Sequence, residues 1–336
     1  MSQPFICLCL VSILVLVLPA ISKAAVPHSN SHGKGPGERA ADGAFSPRDH
    51  AHHGAEGHAN AFDHEAILGS AKDAEEFDQL PPEEAKKRLK VLVLKMDTDG
   101  SGKVEKSELH AWILRSFKSL SKEESEERFE EADEDGDGSV TWTEYRRAEF
   151  DFDDDEDFES VKADPDRLEE YAMMEEDKIL FEAADKNNDG KLVKQEFLSF
   201  THPEEDAEMI RPVLSLTLKA KDANQDGKIS FQEYIGDRGK DQSKEWLMAE
   251  KERFDADLDK NKDGSLDDAE IINWVIPDND EIATDEVNHL FAGADEDVDG
   301  LLSLEEILKN HELFVGSEAT DYGEHLINPH RLDDEL

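Results

Sequence analysis

A twelve-residue pattern recurs six times between residues 97 and 306, and it constrains the fold more than any other feature. Each copy fits D-x-[DNS]-x-[DNS]-G-x5-E, and the copies begin at Asp97, Asp133, Asp185, Asp222, Asp259 and Asp295. Successive starts lie 36, 52, 37, 37 and 36 residues apart. The shorter spacings fit one acidic loop with two flanking helices, so the repeat predicts an all-α array of helix–loop–helix units.

Each copy places oxygen-bearing groups where a hard divalent cation needs them. Calcium takes six to eight oxygen ligands, which a twelve-residue loop supplies from positions 1, 3, 5, 7, 9 and 12, with glycine at position 6 for a sharp turn. Glutamate at position 12 can offer both of its oxygens, which favours calcium over magnesium. The pattern is therefore that of an EF-hand loop, and six loops predict up to six Ca²⁺ ions. The predicted ligands at positions 1, 3, 5, 7 (through the backbone carbonyl) and 12 are Asp97, Asp99, Ser101, Lys103 and Glu108 in loop 1; Asp133, Asp135, Asp137, Ser139 and Glu144 in loop 2; Asp185, Asn187, Asp189, Lys191 and Glu196 in loop 3; Asp222, Asn224, Asp226, Lys228 and Glu233 in loop 4; Asp259, Asn261, Asp263, Ser265 and Glu270 in loop 5; and Asp295, Asp297, Asp299, Leu301 and Glu306 in loop 6.

The loops differ in charge, which predicts unequal affinities. Ionised side chains sum to -5 in loop 2 and -6 in loop 6, but to zero in loop 3, which carries three lysines. Loop 3 also has Val193 at position 9, where a side-chain oxygen would otherwise anchor a water. We therefore expect loop 3 to be the weakest site, so that Glu196→Gln changes total binding least.

The segments around the loops predict six EF-hands in three pairs, formed by loops that are neighbours in sequence, with a disordered N-terminal arm. Pro82 and the acidic residues after it fit a helix start, and Ser121 with Glu124 fits a capping box that would begin a new helix before loop 2. The expected divisions are a signal peptide at 1–24, a His/Gly/Ala-rich arm at 25–80, EF-hand pair 1 at 81–150, an acidic linker at 151–165, pair 2 at 166–240, pair 3 at 241–316 and a tail at 317–336.

The N-terminal segment is typical of a secretory signal peptide. Residues 5–18 are almost wholly apolar, and small residues follow where cleavage is expected. An uncleaved membrane anchor is the alternative, but the apolar run is short and lacks a basic flank. Cys7 and Cys9, the two cysteines of the chain, lie inside this segment. After cleavage we expect no disulfide and no membrane span, so that bound metal would stabilise the small cores.

The charge of the chain narrows its partners. It has 37 Lys and Arg against 83 Asp and Glu, a formal net charge of -46. Such an excess argues against nucleic acid and favours cations or basic proteins. It also predicts that the calcium-free chain is expanded and that calcium folds it. The arm holds seven histidines, which favour a solvated tail, with a transition-metal or pH-responsive tract as the alternative.

The last four residues, Asp333 to Leu336, are close to the K-D-E-L and H-D-E-L retrieval signals. A plain acidic tail is the alternative interpretation. Together with a signal peptide, the ending predicts residence in the lumen of the endoplasmic reticulum, contact with a retrieval receptor and partial secretion.

Several phrases around the loops resemble the CREC family of reticulocalbins, calumenin and relatives. They are Trp142-Thr143-Glu144-Tyr145, residues 233–237 (EYIGD), residues 274–277 (WVIP) and residues 313–324 (LFVGSEATDYGE). The resemblance covers about residues 75–336. It implies a luminal, low-affinity calcium binder of the secretory pathway, without catalytic activity, that meets client or regulatory proteins. Asp333 departs from the histidine with which the retrieval signal of many members begins.

The functional prediction is a monomeric calcium-binding protein that buffers calcium and binds partners in a calcium-dependent way. A secreted acidic matrix or mineral-associated protein is one alternative, against which only the last four residues speak. A calcium-regulated enzyme is another, but the sequence contains no nucleophile elbow, phosphate loop or zinc helix.

Overall fold

Helices make up most of the chain that the computed structural model describes, which is residue 44 and residues 59–150, 167–240 and 242–315. The predicted signal peptide, the acidic linker at 151–165 and the tail at 317–336 lie outside these residues. The helices in chain order are α1 (Ala59–Leu68), α2 (Ala71–Asp78), α3 (Pro82–Met96), α4 (Lys106–Ala132), α5 (Trp142–Phe150), α6 (Leu168–Ala184), α7 (Lys194–Thr201), α8 (Ile210–Lys221), α9 (Phe231–Ile235), α10 (Lys244–Arg253), α11 (Asp268–Val275), α12 (Asn279–Ala294), α13 (Leu304–Lys309) and α14 (His311–Phe314). Single 3₁₀ turns (Pro203–Glu205, Gly236–Gly239) and a π turn (Phe254–Leu258) join some of them. The predicted all-α multiple EF-hand fold is confirmed.

A strand of two or three residues lies within positions 7 to 9 of every loop. The strands are β1 (Lys103–Val104), β2 (Ser139–Thr141), β3 (Lys191–Val193), β4 (Ile229–Ser230), β5 (Ser265–Leu266) and β6 (Leu302–Ser303). They form antiparallel two-stranded ladders, β1 with β6, β2 with β3 and β4 with β5. The apolar position-8 residues face one another across each ladder and are fully buried, as in the Val140–Leu192 pair.

The ladders correct the predicted order of pairing. Loops 1 and 6 pair, as do loops 2 and 3 and loops 4 and 5, whereas neighbouring loops 1–2, 3–4 and 5–6 were expected to pair. The reason is visible in α4, which runs unbroken for 27 residues between loops 1 and 2. At 1.5 Å per residue it separates those loops by about 40 Å. The predicted helix start at Ser121 is wrong, because the Ser121 hydroxyl donates to the Phe117 carbonyl at 3.0 Å and the helix continues.

Two apolar cores lie along the described chain, and α4 takes part in both. One core contains α1 to α3, the first half of α4 with Leu109 and Leu120, and α12 to α14. The other includes Phe129 in the last turn of α4 and the helices around loops 2 to 5. A single helix therefore carries apolar side chains into both cores.

The structure also moves the end of the predicted arm. Within residues 25–80, α1 and α2 are helical, and Phe62, Ile67 and Phe77 are buried in the core that contains loops 1 and 6. His64, counted among the arm's histidines, is 3% exposed, and its Nε2 lies 3.0 Å from the Glu312 carbonyl oxygen. Large apolar residues of α1 are limited to Phe62, Ile67 and Leu68, and the facing groove of α4, α12 and α14 explains the burial of Phe62 and Ile67.

No helix in the described ranges has the length and apolarity needed to cross a bilayer.

Candidate calcium sites

All six loops make the same turn around position 6. The glycine there has φ between 79° and 90°, a backbone conformation that residues other than glycine rarely adopt. Its amide donates to the position-1 aspartate in every loop. The N···Oδ2 distances are 2.9 Å from Gly102 to Asp97, 3.0 Å from Gly138 to Asp133, 2.7 Å from Gly190 to Asp185, 2.8 Å from Gly227 to Asp222, 2.8 Å from Gly264 to Asp259 and 3.0 Å from Gly300 to Asp295.

The position-12 glutamate is folded back over its loop in every case. The position-9 amide donates to its carboxylate, at 3.0 Å for Glu108, 2.8 Å for Glu144, 3.1 Å for Glu196, 2.9 Å for Glu233, 3.0 Å for Glu270 and 2.9 Å for Glu306. In loops 4 and 6 the position-9 serine hydroxyl also donates to the same carboxylate oxygen, at 2.7 Å. This is a capping box, so the residues that start the exiting helix also hold the glutamate over the loop.

Three loops bring carboxylate oxygens close enough to share one ion. Their ligand atoms lie within 4.8 Å of one another in the sets Asp97, Asp99 and Glu108; Asp133, Asp135 and Glu144; and Asp295, Asp297 and Asp299. Oxygens bound to Ca²⁺ at 2.3–2.6 Å must themselves lie within about 5 Å of one another, so the sets fit the ion.

Loops 3, 4 and 5 have asparagine at position 3, and in loops 4 and 5 its side-chain oxygen accepts a hydrogen bond from the position-5 amide. Asn224 Oδ1 accepts from the Asp226 amide at 2.8 Å, and Asn261 Oδ1 accepts from the Asp263 amide at 2.9 Å. Asn187 occupies the same position in loop 3. An amide oxygen is an acceptable calcium ligand, so all six donor sets fit calcium.

Hydrogen bonds keep several of these carboxylates ionised. The Gly102 amide is the largest cause that lowers the pKa of Asp97. The Ser303 hydroxyl and amide lower the pKa of Glu306. Because these groups stay charged at neutral pH, protons do not compete there for the oxygens that calcium would use.

A lysine at position 7 reaches across each ladder to the opposite loop. Lys191 Nζ of loop 3 donates to Asp137 Oδ2 of loop 2 at 2.8 Å, and to Ser139 Oγ at 3.3 Å. Lys228 of loop 4 donates to Asp263 of loop 5 at 2.7 Å, and Lys103 of loop 1 contacts Asp299 of loop 6.

In each ladder the aspartate reached is the predicted position-5 ligand of the partner loop. The lysine hydrogen bond is the largest cause that lowers the pKa of that aspartate, to about 2 for Asp137. The same contact lowers the pKa of Asp263 and Asp299.

The three lysines of loop 3 form ion pairs with carboxylates outside loop 3. Lys186 pairs with Asp206 at 2.9 Å and with Glu208 at 2.7 Å. Lys194 pairs with Glu130 at 3.3 Å, and Lys191 reaches loop 2. The charge count that predicts a weak third loop did not consider these partners outside the loop, and the affinity order stays a prediction.

From the sequence, the position-7 residues were predicted to contribute only a backbone carbonyl oxygen as a calcium ligand. A pair of buried carboxyl groups was also missed: Asp63 on α1 and Glu286 on α12, which are 1% and 2% exposed. A signal was present, because both acids stand among apolar residues of their helices, next to Phe62 and Val287. Which groups they meet could not be deduced without the packing of α1.

A family model described as an EF-hand domain pair matches residues 86–148 and residues 174–236. Each match contains two loops that are neighbours in sequence. The structure shows that these neighbours belong to different ladders, so the unit that recurs in sequence is not the unit that pairs in space.

Curated proteins that match over most of the chain include reticulocalbins. The chain is 40% identical to reticulocalbin-2 of Crotalus adamanteus over 285 residues, which is 83% of this chain and 92% of that protein. It is 38% identical to reticulocalbin-2 of Mus musculus over 83% of this chain and 88% of that protein. It is 36% identical to reticulocalbin-3 of Homo sapiens over 90% of this chain and 92% of that protein.

Proposed function

The chain belongs to the reticulocalbin family of EF-hand calcium-binding proteins, and on that premise we propose that it is a low-affinity calcium buffer of the secretory-pathway lumen. In this proposal up to six Ca²⁺ ions bind at the predicted ligands. The observation that supports it most strongly is the geometry common to all six loops, in which the position-6 amide holds the first aspartate and the position-9 amide holds the last glutamate. A hard cation bound there would replace repulsion between carboxylates with shared coordination.

We also propose that the loaded protein binds client or regulatory proteins of the secretory pathway and has no catalytic role. The negative charge of the chain favours basic surfaces on such partners. A sensor that opens a methionine-rich groove is less well supported, because the chain has only six methionines, Met1 included.

Replacing one position-12 glutamate tests the calcium sites directly. Radiolabelled calcium measured by flow dialysis should show six ions bound to the parent protein, with dissociation constants of about 10⁻⁴ to 10⁻³ M. The Glu306→Gln variant should bind one ion fewer, because the amide cannot supply two charged oxygens. Its neighbour Glu305 is exposed at position 11, so Glu305→Gln removes the same charge and should leave the number unchanged. Equal stoichiometry in the two variants would contradict loop 6 as a site.

Localisation separates the luminal proposal from a secreted matrix protein. Deleting Asp333 to Leu336 should shift the protein from the endoplasmic reticulum to the culture medium, because a retrieval receptor reads those residues. Immunofluorescence and immunoblotting of the medium measure the shift, with a deletion of residues 152–155 (FDDD), which removes three acidic residues and one apolar residue, as the control matched in length and charge. Unchanged secretion after the C-terminal deletion would favour the matrix alternative.

A further inference from the structure

The position-7 lysines have a regular arrangement that the proposed function does not explain. Each ladder joins one loop that has lysine at position 7 with one that does not. Lys103, Lys191 and Lys228 belong to loops 1, 3 and 4, whereas their partner loops 6, 2 and 5 carry leucine or serine there. In all three ladders the ammonium group contacts the position-5 aspartate of the partner loop.

We propose that Lys103, Lys191 and Lys228 act as built-in competitors for calcium, each lowering the affinity of the loop across its ladder. The inference rests on the proposed calcium sites. It concerns which loop each lysine affects, and the sequence cannot show this because the position-7 residues of partner loops are 37 to 198 residues apart.

Each lysine lowers the calcium affinity of its partner loop whether or not the ammonium group moves when calcium binds. If it leaves the aspartate, binding must break an ion pair that is made in the calcium-free protein. If it stays, a positive charge remains within a few ångströms of a divalent cation and repels it. Both routes penalise the loaded state of the partner loop, and neither requires any change in the ladder.

The arrangement also alters the expected order of the sites. Loops 2 and 6 carry the most negative charge, and both face a competing lysine, as does loop 5. Loops 1, 3 and 4 face Leu301, Ser139 and Ser265 across their ladders, and none of these side chains can be charged. The lysines therefore reduce the differences in calcium affinity that the charges within the loops would produce. The calcium affinities of the most acidic loops come closer to those of the other loops.

The test is a pair of charge-matched variants in loop 3, read at loop 2. Lys191→Gln removes the ammonium group that contacts Asp137, whereas Lys194→Gln removes one that contacts Glu130, which is not a predicted ligand. NMR of glycine-labelled protein follows the amides of Gly138 and Gly190, each of which bonds its own position-1 aspartate and so reports loop 2 and loop 3 separately.

In Lys191→Gln we expect calcium to bind loop 2 about three- to tenfold more tightly at low ionic strength, roughly the range for one partly exposed charge acting on a divalent ion. Lys194→Gln should change the calcium affinity of loop 2 by less than about twofold. The difference between the variants should shrink in 1 M salt, where the screening length falls to about 3 Å. Calcium-free Lys191→Gln should unfold at a lower temperature than the parent, because Asp137 loses its ion-pair partner.

If Lys191 only stabilises the structure of loop 2, its removal should weaken calcium binding there. If the Gly138 amide signal responds to calcium but loop 2 of Lys191→Gln binds calcium as weakly as the parent or more weakly, Lys191 is not a competitor, while the calcium site in loop 2 stands. If Gly138 of the parent does not respond to calcium at all, the proposed site in loop 2 fails instead. Lys228→Gln read at Gly264, and Lys103→Gln read at Gly300, repeat the test in the other two ladders and should give the same sign.

Discussion

Calcium removal should lower the midpoint of thermal unfolding by at least about 15 °C and expand the protein. Each ion bound at ten times its dissociation constant stabilises the folded state by about 1.4 kcal/mol, so that six ions contribute about 8 kcal/mol. In a domain of ordinary size one kcal/mol corresponds to about 2–4 °C. The described residues contain no cysteine, so no disulfide limits the loss.

The structure gives this expectation a local cause. Carboxylate oxygens of Asp133, Asp135 and Glu144 lie within 4.8 Å of one another, so they would repel without a cation between them. The loops that hold them also anchor the ladders, whose position-8 residues are buried in both cores. Loosening the loops therefore loosens the helices packed around them.

Differential scanning calorimetry and small-angle scattering, with calcium and with a chelator, measure the two effects. A magnesium sample and a sodium chloride sample of equal ionic strength control for general screening of the net charge. Unfolding midpoints that agree between calcium and chelator at equal ionic strength would show that the cores remain folded without calcium.

Glu286→Gln should stabilise the protein by about 2–4 kcal/mol near pH 7.5 and flatten its pH dependence. Burial first, and then the neighbouring Asp63 carboxyl, raises the pKa of Glu286 from 4.5 to about 9. Folding at neutral pH therefore requires this carboxyl to take up a proton that the unfolded chain lacks. The stabilising contribution is fully present below pH 4.5 and is lost as the pH rises towards 9.

The location of the pair makes the effect specific. Asp63 on α1 lies near enough to Glu286 on α12 to raise its pKa, and His289 Nε2 lies 3.4 Å from Asp63 Oδ2. A glutamine at 286 carries no charge at any pH, so it removes the repulsion from Asp63. Calcium-saturated samples between pH 6 and 8.5 avoid the titration of the loop carboxylates, whose ordinary pKa values lie well below this range.

Urea unfolding of parent, Glu286→Gln and Asp285→Asn across that range measures the contribution. Asp285 is the exposed neighbour on the same helix, so its variant controls for net charge. The free energy of unfolding of the parent and of Asp285→Asn should fall as the pH rises, while that of Glu286→Gln should change least. A glutamine variant that follows the slope of the parent would show that Glu286 is already ionised in the folded protein.

The sequence by itself determined the local chemistry of the loops. Glycine at position 6, an apolar residue at 8 and glutamate at 12 act within twelve residues, so their roles follow from short-range geometry. The helix start at Pro82 and the buried face of Leu109, Ile113 and Phe117 follow from capping and periodicity in the same way. Each is a contact between residues near in the chain, which a linear pattern can encode.

Only the tertiary structure decided which loops pair, where the arm ends and what the lysines contact. The unbroken α4 holds loops 1 and 2 apart, and loop 1 pairs instead with loop 6, so Lys103 meets Asp299 although 196 residues separate them. Likewise α1 is ordered by a groove built from α4, α12 and α14. Such contacts depend on how whole helices pack, and no short stretch of sequence contains that information.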